Sequence, residues 1–282
     1  MKGLQEYQKR KEYLVCVDSD GCAMDTMDVK HIRCFGPCMV EEWGLQAWET
    51  SILKRWNEIN LYTLTRGINR FKGLAIALKE VDQRHRKIEG LAELIEWTQN
   101  ASELSNDGLK RAIAEKTACV ALQKALAWSV AVNTAIGALP EEEKLPFPLA
   151  KEALAFAHEH ADVAIVSSAN LDAVVEEWEK HGLLQHVDIV LSQNVGSKAF
   201  CIAELLKKGY EKEKVMMCGD APGDLAAAEK NGVPYYPILV KKERESWQEF
   251  LSEGLYRLLN GDFQGEYEAK KKAEFYKNLG AE

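Results

Sequence analysis

The segment from Tyr13 to Gly21 constrains the fold of this chain more than any other stretch. An apolar run, Tyr13–Val17, leads directly into Asp18, Asp20 and Gly21, with no room for a helix between them. A short apolar run that ends in turn-forming residues is typical of a strand buried on both faces of a parallel sheet. The segment therefore predicts a buried strand with two carboxylates at its end.

The position of these two acids at the end of a strand indicates a functional site. In open α/β sheets, ligands bind at the carboxyl ends of the strands, so Asp18 and Asp20 are candidates for catalysis or metal binding. The alternative, from this stretch alone, is an Asx turn that ends the strand, for which Asp, Ser and Gly are ordinary choices.

Composition is that of a globular protein and argues against several classes of partner. A chain of 282 residues, 46% hydrophobic and 28% charged, is long enough for a large core and for two domains. The net charge of -8, without a long Lys/Arg run, argues against nucleic acid. The charged N-terminus lacks a signal-peptide core and no later run reaches membrane-spanning length, so we expect no membrane partner and a cytoplasmic location. Seven cysteines without a C-x-x-C pair favour free thiols.

A long helical stretch separates the first strand from a second architecture. After Gly21 apolar residues recur at spacings of three and four until about Glu143. The predicted helices cover 43–59, 74–81, 88–98 and 109–135, with a breaker-rich run at 101–108. Three prolines between 140 and 148 mark its end. We therefore predict a helical cap at 22–144, inserted into a core formed by 1–21 and 145–282.

Beyond the prolines, strands alternate with helices of about a dozen residues. The predicted strands cover 162–168, 187–192, 214–219 and 235–240. The predicted helices cover 149–158, 171–181, 197–208 and 224–230, followed by a helical tail at 243–282. This alternation predicts right-handed βαβ units and a mostly parallel sheet.

Polar residues lie at the ends of these strands in a defined order. The D-x-D-G motif at Asp18 is followed by Ser167 at a strand end, Lys198 at the start of a helix, and a G-D-x-x-x-D motif containing Asp220 and Asp224. In this order the series resembles the four motifs of the haloacid dehalogenase-like hydrolase superfamily. The helical insertion resembles the cap of the phosphoglycolate phosphatase and β-phosphoglucomutase branch. The resemblance implies an α/β fold, a Rossmann-like parallel sheet core with an inserted all-helical cap domain.

The resemblance also implies a Mg²⁺-dependent phosphatase acting on a small phosphorylated metabolite. In that mechanism Asp18 is the nucleophile that forms an aspartyl-phosphate, and Asp20 protonates the leaving oxygen and later deprotonates water. Ser167 would donate a hydrogen bond to a phosphoryl oxygen, and Lys198 would offset negative charge. Hard oxygen ligands suit Mg²⁺. The residues expected at the metal are Asp18, Asp20 through its backbone carbonyl, Asp220 and Asp224.

Several of these assignments have alternatives. A one-residue slip would bring Ser168 rather than Ser167 to the site, and we predict substrate contacts from Ser168 and Asn170. Lys198 could instead be a solvated residue of a first helical turn. Asp224 could orient Lys198 or a metal-bound water, or could simply favour the helix dipole. Two other functions would use the same fold: a phosphomutase acting on a sugar phosphate, and a catalytically silent binding protein.

The segment 62–73 interrupts the helical pattern of the predicted cap. It places Arg66, Asn69 and Arg70 between two glycines, a local surplus of positive charge in an acidic protein. The planar fork of arginine can hold a carboxylate or a second phosphate, so we predict that these residues bind the part of the substrate that is not transferred. The alternative is a solvated corner whose arginines pair with nearby acids.

Overall fold

A computed structural model describes residues 3–115 and 119–281 of the chain. They form two compact units: the first ends at Met27 and resumes at Glu141, and the second comprises Asp28–Pro140. The predicted cap, 22–144, extends a few residues beyond the second unit at both ends. The reason is that Cys22 and Met24 are buried in the hydrophobic core of the first unit, and the Asp25 N–H donates to the carbonyl of Leu145 at 2.7 Å.

The first unit is built on a parallel sheet. Its strands are β1 Tyr13–Val17, β2 Ala161–Val166, β3 Ile189–Leu191, β4 Val215–Gly219 and β5 Tyr235–Pro237. They lie in the order β3-β2-β1-β4-β5, and each neighbouring pair is parallel. In the central strand β1, Val17 pairs with Ile165 of β2 and with Cys218 of β4. The predicted Rossmann-like parallel sheet is thus confirmed, and the ends of β1, β2 and β4 meet at one edge.

The second unit, here called the insert, consists of helices in the described residues. They are α2 Gly36–Trp43, α3 Glu49–Asn57, α4 Arg70–Arg84, α5 Leu91–Asn100, α6 Asn106–Glu115 and α7 Val120–Gly137, with α1 Met27–Lys30 leading into them. The helix predicted over 43–59 is broken, because Gly44 ends α2 in the left-handed conformation (φ +62°). The helix predicted over 109–135 spans parts of α6 and α7, and residues 116–118 lie outside the described residues. The rings of Trp56 and Phe71 pack against Trp128, at 5.9 and 6.1 Å between centroids, in the core of the insert.

Helices also cover the sheet of the first unit. They are α8 Ala150–His160, α9 Leu171–Lys180, α10 Lys198–Leu206, α11 Pro222–Asn231, α12 Glu243–Glu249, α13 Leu255–Asn260 and α14 Glu266–Asn278. Each helix predicted between the strands is present, and the predicted helical tail forms α12, α13 and α14. Trp178 of α9 and Trp247 of α12 are fully buried and fill the core beside the sheet. Among the described helices, none combines the length and apolar character needed to cross a membrane.

Candidate active site

Asp18 lies at the centre of the sheet edge, directly after β1. Its backbone N–H donates to the carbonyl of Cys218 at 3.0 Å, which continues the ladder between β1 and β4 by one residue. The side chain is buried, and its Oδ2 lies 2.7 Å from the Lys198 Nζ. The Asp18 carboxylate therefore lies at the end of the strand, largely shielded from water.

Lys198 forms ion pairs with two carboxylates that are far apart in the sequence. It is the first residue of α10, whose N-terminus is capped by the Ser197 hydroxyl. The Lys198 Nζ lies 2.7 Å from Asp18 Oδ2 and 2.6 Å from Asp224 Oδ1, and its side chain is only 13% exposed. Burial alone would lower the pKa of Lys198, but the two carboxylates raise it above its ordinary range. The ammonium therefore stays charged at neutral pH.

The turn after β4 supplies the other two acids. Asp220 and Asp224 are both buried, and Asp224 Oδ2 accepts a hydrogen bond from the Ala221 N–H at 3.0 Å. A side chain at position 219 would overlap the Asp224 carboxylate, so Gly219 is required for this carboxylate to pack against the strand. Asp224 thereby closes the turn with one oxygen and holds Lys198 with the other.

Asp18, Asp220 and Asp224 form a compact carboxylate cluster. One oxygen from each lies within 4.8 Å of the others. Burial raises the pKa of Asp18; the Lys198 ammonium opposes that shift, and the Asp224 and Asp220 carboxylates add to it. A buried set of hard oxygen donors with excess negative charge fits Mg²⁺, which prefers such ligands. Because both Asp224 oxygens already accept hydrogen bonds, Asp18 and Asp220 are the better candidates for direct ligands.

Asp20 occupies the turn that follows Asp18. It is half-buried, and its Oδ1 accepts a hydrogen bond from the Thr26 hydroxyl at 2.5 Å. Gly21 adopts a left-handed conformation (φ +83°), which lets the chain reverse directly after Asp20. Thr26 is not among the residues predicted from the sequence, because nothing in its spacing from Asp20 distinguishes it from a threonine of the core.

The predicted phosphate-binding residues follow β2. Ser167 is buried, its N–H donates to the Leu191 carbonyl of β3 at 2.9 Å, and its hydroxyl accepts from the Ala169 N–H at 3.1 Å. Ser168 is exposed. Asn170 caps α9, since its Oδ1 accepts hydrogen bonds from the first turn of that helix. All three lie at the carboxyl end of β2, next to the strand that carries Asp18.

Within the insert, Arg66 and Asn69 stabilise the local structure. Arg66 is buried; its NH1 donates to the Leu61 carbonyl at 2.8 Å and lies 3.9 Å from Asp28 Oδ1. Asn69 caps α4 by accepting a hydrogen bond from the Phe71 N–H at 3.0 Å. Both residues therefore have contacts that do not involve a ligand.

Arg70 differs from Arg66 in its partners. Its NH1 donates to the Ser129 hydroxyl at 3.1 Å and to Asn133 Oδ1 at 2.7 Å, and its guanidinium lies 4.9 Å from the centre of the Phe35 ring. These partners are neutral, and burial lowers the pKa of Arg70. Arg70 thus carries a charge that is not balanced by an ion pair within the described part of the insert.

Buried aromatic residues hold the loops that carry the acids. The Trp178 indole N–H donates to the Ser19 hydroxyl at 2.8 Å, and the Trp247 indole N–H donates to the Cys22 carbonyl at 3.1 Å. The Tyr235 hydroxyl donates to the Gly219 carbonyl at 2.9 Å, next to Asp220. These contacts could not be predicted from the sequence, because an aromatic residue in a helix or strand pattern indicates only a place in the core.

Comparison with known proteins agrees with this architecture. A sequence model of the family described as haloacid dehalogenase-like hydrolase matches residues 103–238. No curated protein matches the chain significantly. Among solved structures, the chain is similar to a haloacid dehalogenase-like family hydrolase from Streptococcus pneumoniae, with 12% identity and a TM-score of 0.54, over 86% of this chain and 97% of that one.

A second similar structure is a protein assigned as a phosphoglycolate phosphatase from Lactobacillus delbrueckii subsp. bulgaricus. It is 12% identical, with a TM-score of 0.51, over 80% of this chain and 85% of that one. At such low identity, these two structures support the fold rather than a substrate.

Proposed function

We propose that this chain is a Mg²⁺-dependent phosphatase of the haloacid dehalogenase-like superfamily, acting on a small phosphorylated metabolite; the match of that family's model to residues 103–238 supports the assignment. One observation carries the proposal. The Asp18 carboxylate lies at the end of the central strand, 2.7 Å from the Lys198 ammonium, with oxygens of Asp220 and Asp224 within 4.8 Å of its own. A carboxylate paired with an ammonium, in a cluster of acids that can hold a cation, at the ligand-binding edge of a sheet suits nucleophilic attack on phosphorus.

The reaction divides into two displacements. In the first, an Asp18 oxygen forms a bond to phosphorus, the bond from phosphorus to the leaving oxygen breaks, and Asp20 gives that oxygen a proton. In the second, Asp20 removes a proton from water, whose oxygen attacks phosphorus and releases Asp18 and inorganic phosphate. Dividing one slow hydrolysis into two displacements lowers each barrier. The Thr26 hydroxyl supports this role by holding one oxygen of Asp20.

Charge balance follows from the same residues. Lys198 offsets negative charge on Asp18 and on the phosphoryl group, and Asp224 keeps the ammonium in place. Ser167, buried at the end of β2, is the better of the two serines for a hydrogen bond to a phosphoryl oxygen, and the exposed Ser168 and Asn170 are left as substrate contacts.

Mg²⁺ would be held by Asp18 and Asp220, together with the backbone carbonyl of Asp20. When bound, it would supply positive charge to the cluster and to the phosphoryl group. The raised pKa of Asp18 supports this assignment, because a nucleophile must be ionised and an added cation favours the ionised form.

In the insert, we propose Arg70 as the principal contact to the part of the substrate that is not transferred, with Asn69 and Arg66 as supporting residues. The Arg70 guanidinium contacts only neutral side chains among the described residues, so a substrate anion would balance its charge. A second phosphate or a carboxylate on the substrate has the required chemistry.

The experiment is hydrolysis of p-nitrophenyl phosphate by the purified chain, with Mg²⁺ and with excess chelator. We expect turnover that disappears on chelation, returns with Mg²⁺ and is poorly restored by Zn²⁺. Asp262→Asn, a change to an exposed carboxylate paired with Arg257, is a matched control that should retain activity. Full activity in excess chelator, or no turnover in Mg²⁺, would refute the proposal.

A further inference from the structure

The turn that carries Asp20 is anchored on both sides by indole N–H groups. Trp178 of α9 donates to the Ser19 hydroxyl at 2.8 Å, and Trp247 of α12 donates to the Cys22 carbonyl at 3.1 Å. Both tryptophans are fully buried. Asp20 therefore lies between two residues that are each held by a side chain from a different helix.

Ser19 accepts several of the hydrogen bonds that stabilise this turn. Its carbonyl accepts the backbone N–H groups of Cys22, Ala23 and Met24, at 3.3, 3.0 and 2.9 Å. Its side chain is fully buried and accepts the hydrogen bond from Trp178. Fixing Ser19 fixes the peptide units on either side, which belong to the two acids of the site.

A buried indole N–H that loses its acceptor is costly, so each tryptophan has a strong preference for one position of the loop. Catalytic groups, in turn, are sensitive to small displacements, and a shift of about 1 Å can reduce a rate by about a hundredfold. Rigid donors from α9 and α12 are well suited to prevent such a shift.

We propose that Trp178 and Trp247 are positioning residues, which set the location of Asp20 relative to Asp18 by holding Ser19 and Cys22. The inference rests on the proposed phosphatase function and extends it to two residues outside every motif. Neither tryptophan contacts the reacting atoms in this assignment. They act through the backbone of the turn, and the step they serve is proton transfer from Asp20 to the leaving oxygen.

The competing explanation is that the two indoles only complete the packing of the core. The two explanations differ in their dependence on the leaving group. p-Nitrophenolate leaves readily without protonation, whereas the more basic phenolate depends on the acid. A misplaced Asp20 therefore reduces hydrolysis of phenyl phosphate more than that of p-nitrophenyl phosphate, while a loss of folded protein reduces both equally.

The test uses Trp178→Phe, Trp247→Phe and Ser19→Ala in the full chain with Mg²⁺. Tyr236→Phe is the matched control, because it removes a buried hydroxyl that donates to the Ser246 carbonyl at 2.7 Å in the same core but does not bond to the turn. We expect kcat/KM for phenyl phosphate to fall about tenfold or more relative to p-nitrophenyl phosphate in the three variants. The control should keep the wild-type ratio. Equal losses on both substrates would overturn the positioning role.

A second measurement separates this inference from the proposed function. If the wild-type chain has no phosphatase activity, the proposed function fails, and the indole N–H resonances still test the coupling. Addition of Mg²⁺ should shift the signals of Trp178 and Trp247 but leave that of Trp128, which donates to Phe35 within the insert, unchanged. Ser19→Ala should remove the response of Trp178. Absence of a shift in the wild-type signals would overturn the proposal.

Discussion

The Lys198 ammonium lies 2.7 Å from a carboxylate oxygen of Asp18, although the two residues are separated by most of the chain. The pair is buried, and the second contact of Lys198, to Asp224 at 2.6 Å, leaves one cation between two of the three clustered acids. Without Mg²⁺ the cluster has excess negative charge.

Asp18→Asn should abolish turnover. The amide is nearly isosteric but is not a carboxylate nucleophile, so the loss should exceed about a thousandfold. Steady-state hydrolysis of p-nitrophenyl phosphate measures it, and circular dichroism shows whether the fold is retained. A rate within about tenfold of the wild type would exclude attack by Asp18.

Asp20→Asn should slow turnover while allowing the first displacement with a good leaving group. p-Nitrophenolate leaves without protonation, but water is no longer deprotonated in the second step. Phosphorylated enzyme should therefore accumulate and be detectable by mass spectrometry after rapid acid quenching. The double variant with Asp18→Asn is the control and should remain unphosphorylated. If Asp20→Asn also yields no phosphorylated enzyme, the role given to Asp20 is wrong.

Asp18→Asn should also change how stability depends on pH in excess chelator. The folded-state pKa of Asp18 is raised above its unfolded value, which is near 4. The folded chain thus retains a proton that the unfolded chain releases, and stability falls as pH rises above about 4. The Asn variant lacks this loss. It should unfold at a higher temperature than the wild type at pH 7, with the difference shrinking toward pH 4. A variant less stable than the wild type at pH 7 would contradict the shift.

Lys198→Met should destabilise the metal-free chain as well as reduce turnover. Removing the cation leaves Asp18 and Asp224 buried without their partner, and breaking a buried ion pair in this way costs about 3–5 kcal/mol. Lys207→Met, in which an exposed ion pair to Glu204 is lost, should have a near-neutral effect. Urea denaturation of both variants measures the free energy of unfolding. Equal stability of the two variants would show that Lys198 does not balance the cluster.

Arg66→Ala and Arg70→Ala should have different effects. Arg66 is buried and donates a hydrogen bond to the Leu61 carbonyl, so its loss should lower the free energy of unfolding by about 1–3 kcal/mol.

Arg70→Ala should lower kcat/KM for the natural substrate while sparing p-nitrophenyl phosphate, because a remote contact is absent from the minimal substrate. Thermal unfolding and a metabolite screen provide the measurements. Equal losses on both substrates for Arg70→Ala would argue against a specificity role.

Local pattern was sufficient for the framework of the fold. The apolar run before Asp18 and the alternation of strands and helices after the prolines predicted a parallel sheet, because a strand buried on both faces leaves a continuous apolar run in the sequence. The break at Gly44 was not predicted, since a left-handed residue inside an amphipathic pattern is visible only in its backbone angle. The predicted cap begins at residue 22 and the second unit at Asp28, because the burial of Cys22 and Met24 in the first unit depends on distant parts of the chain.

Carboxylates at the ends of strands could be predicted from the sequence alone, because apolar runs and turn residues are local properties. The contacts made at this edge could not be predicted in the same way. Lys198 lies between Asp18 and Asp224, Thr26 donates to Asp20, and Trp178 donates to Ser19. These contacts depend on the strand order, which brings separate loops to one edge of the sheet. They also depend on burial, because a polar group removed from water is costly unless it is hydrogen-bonded.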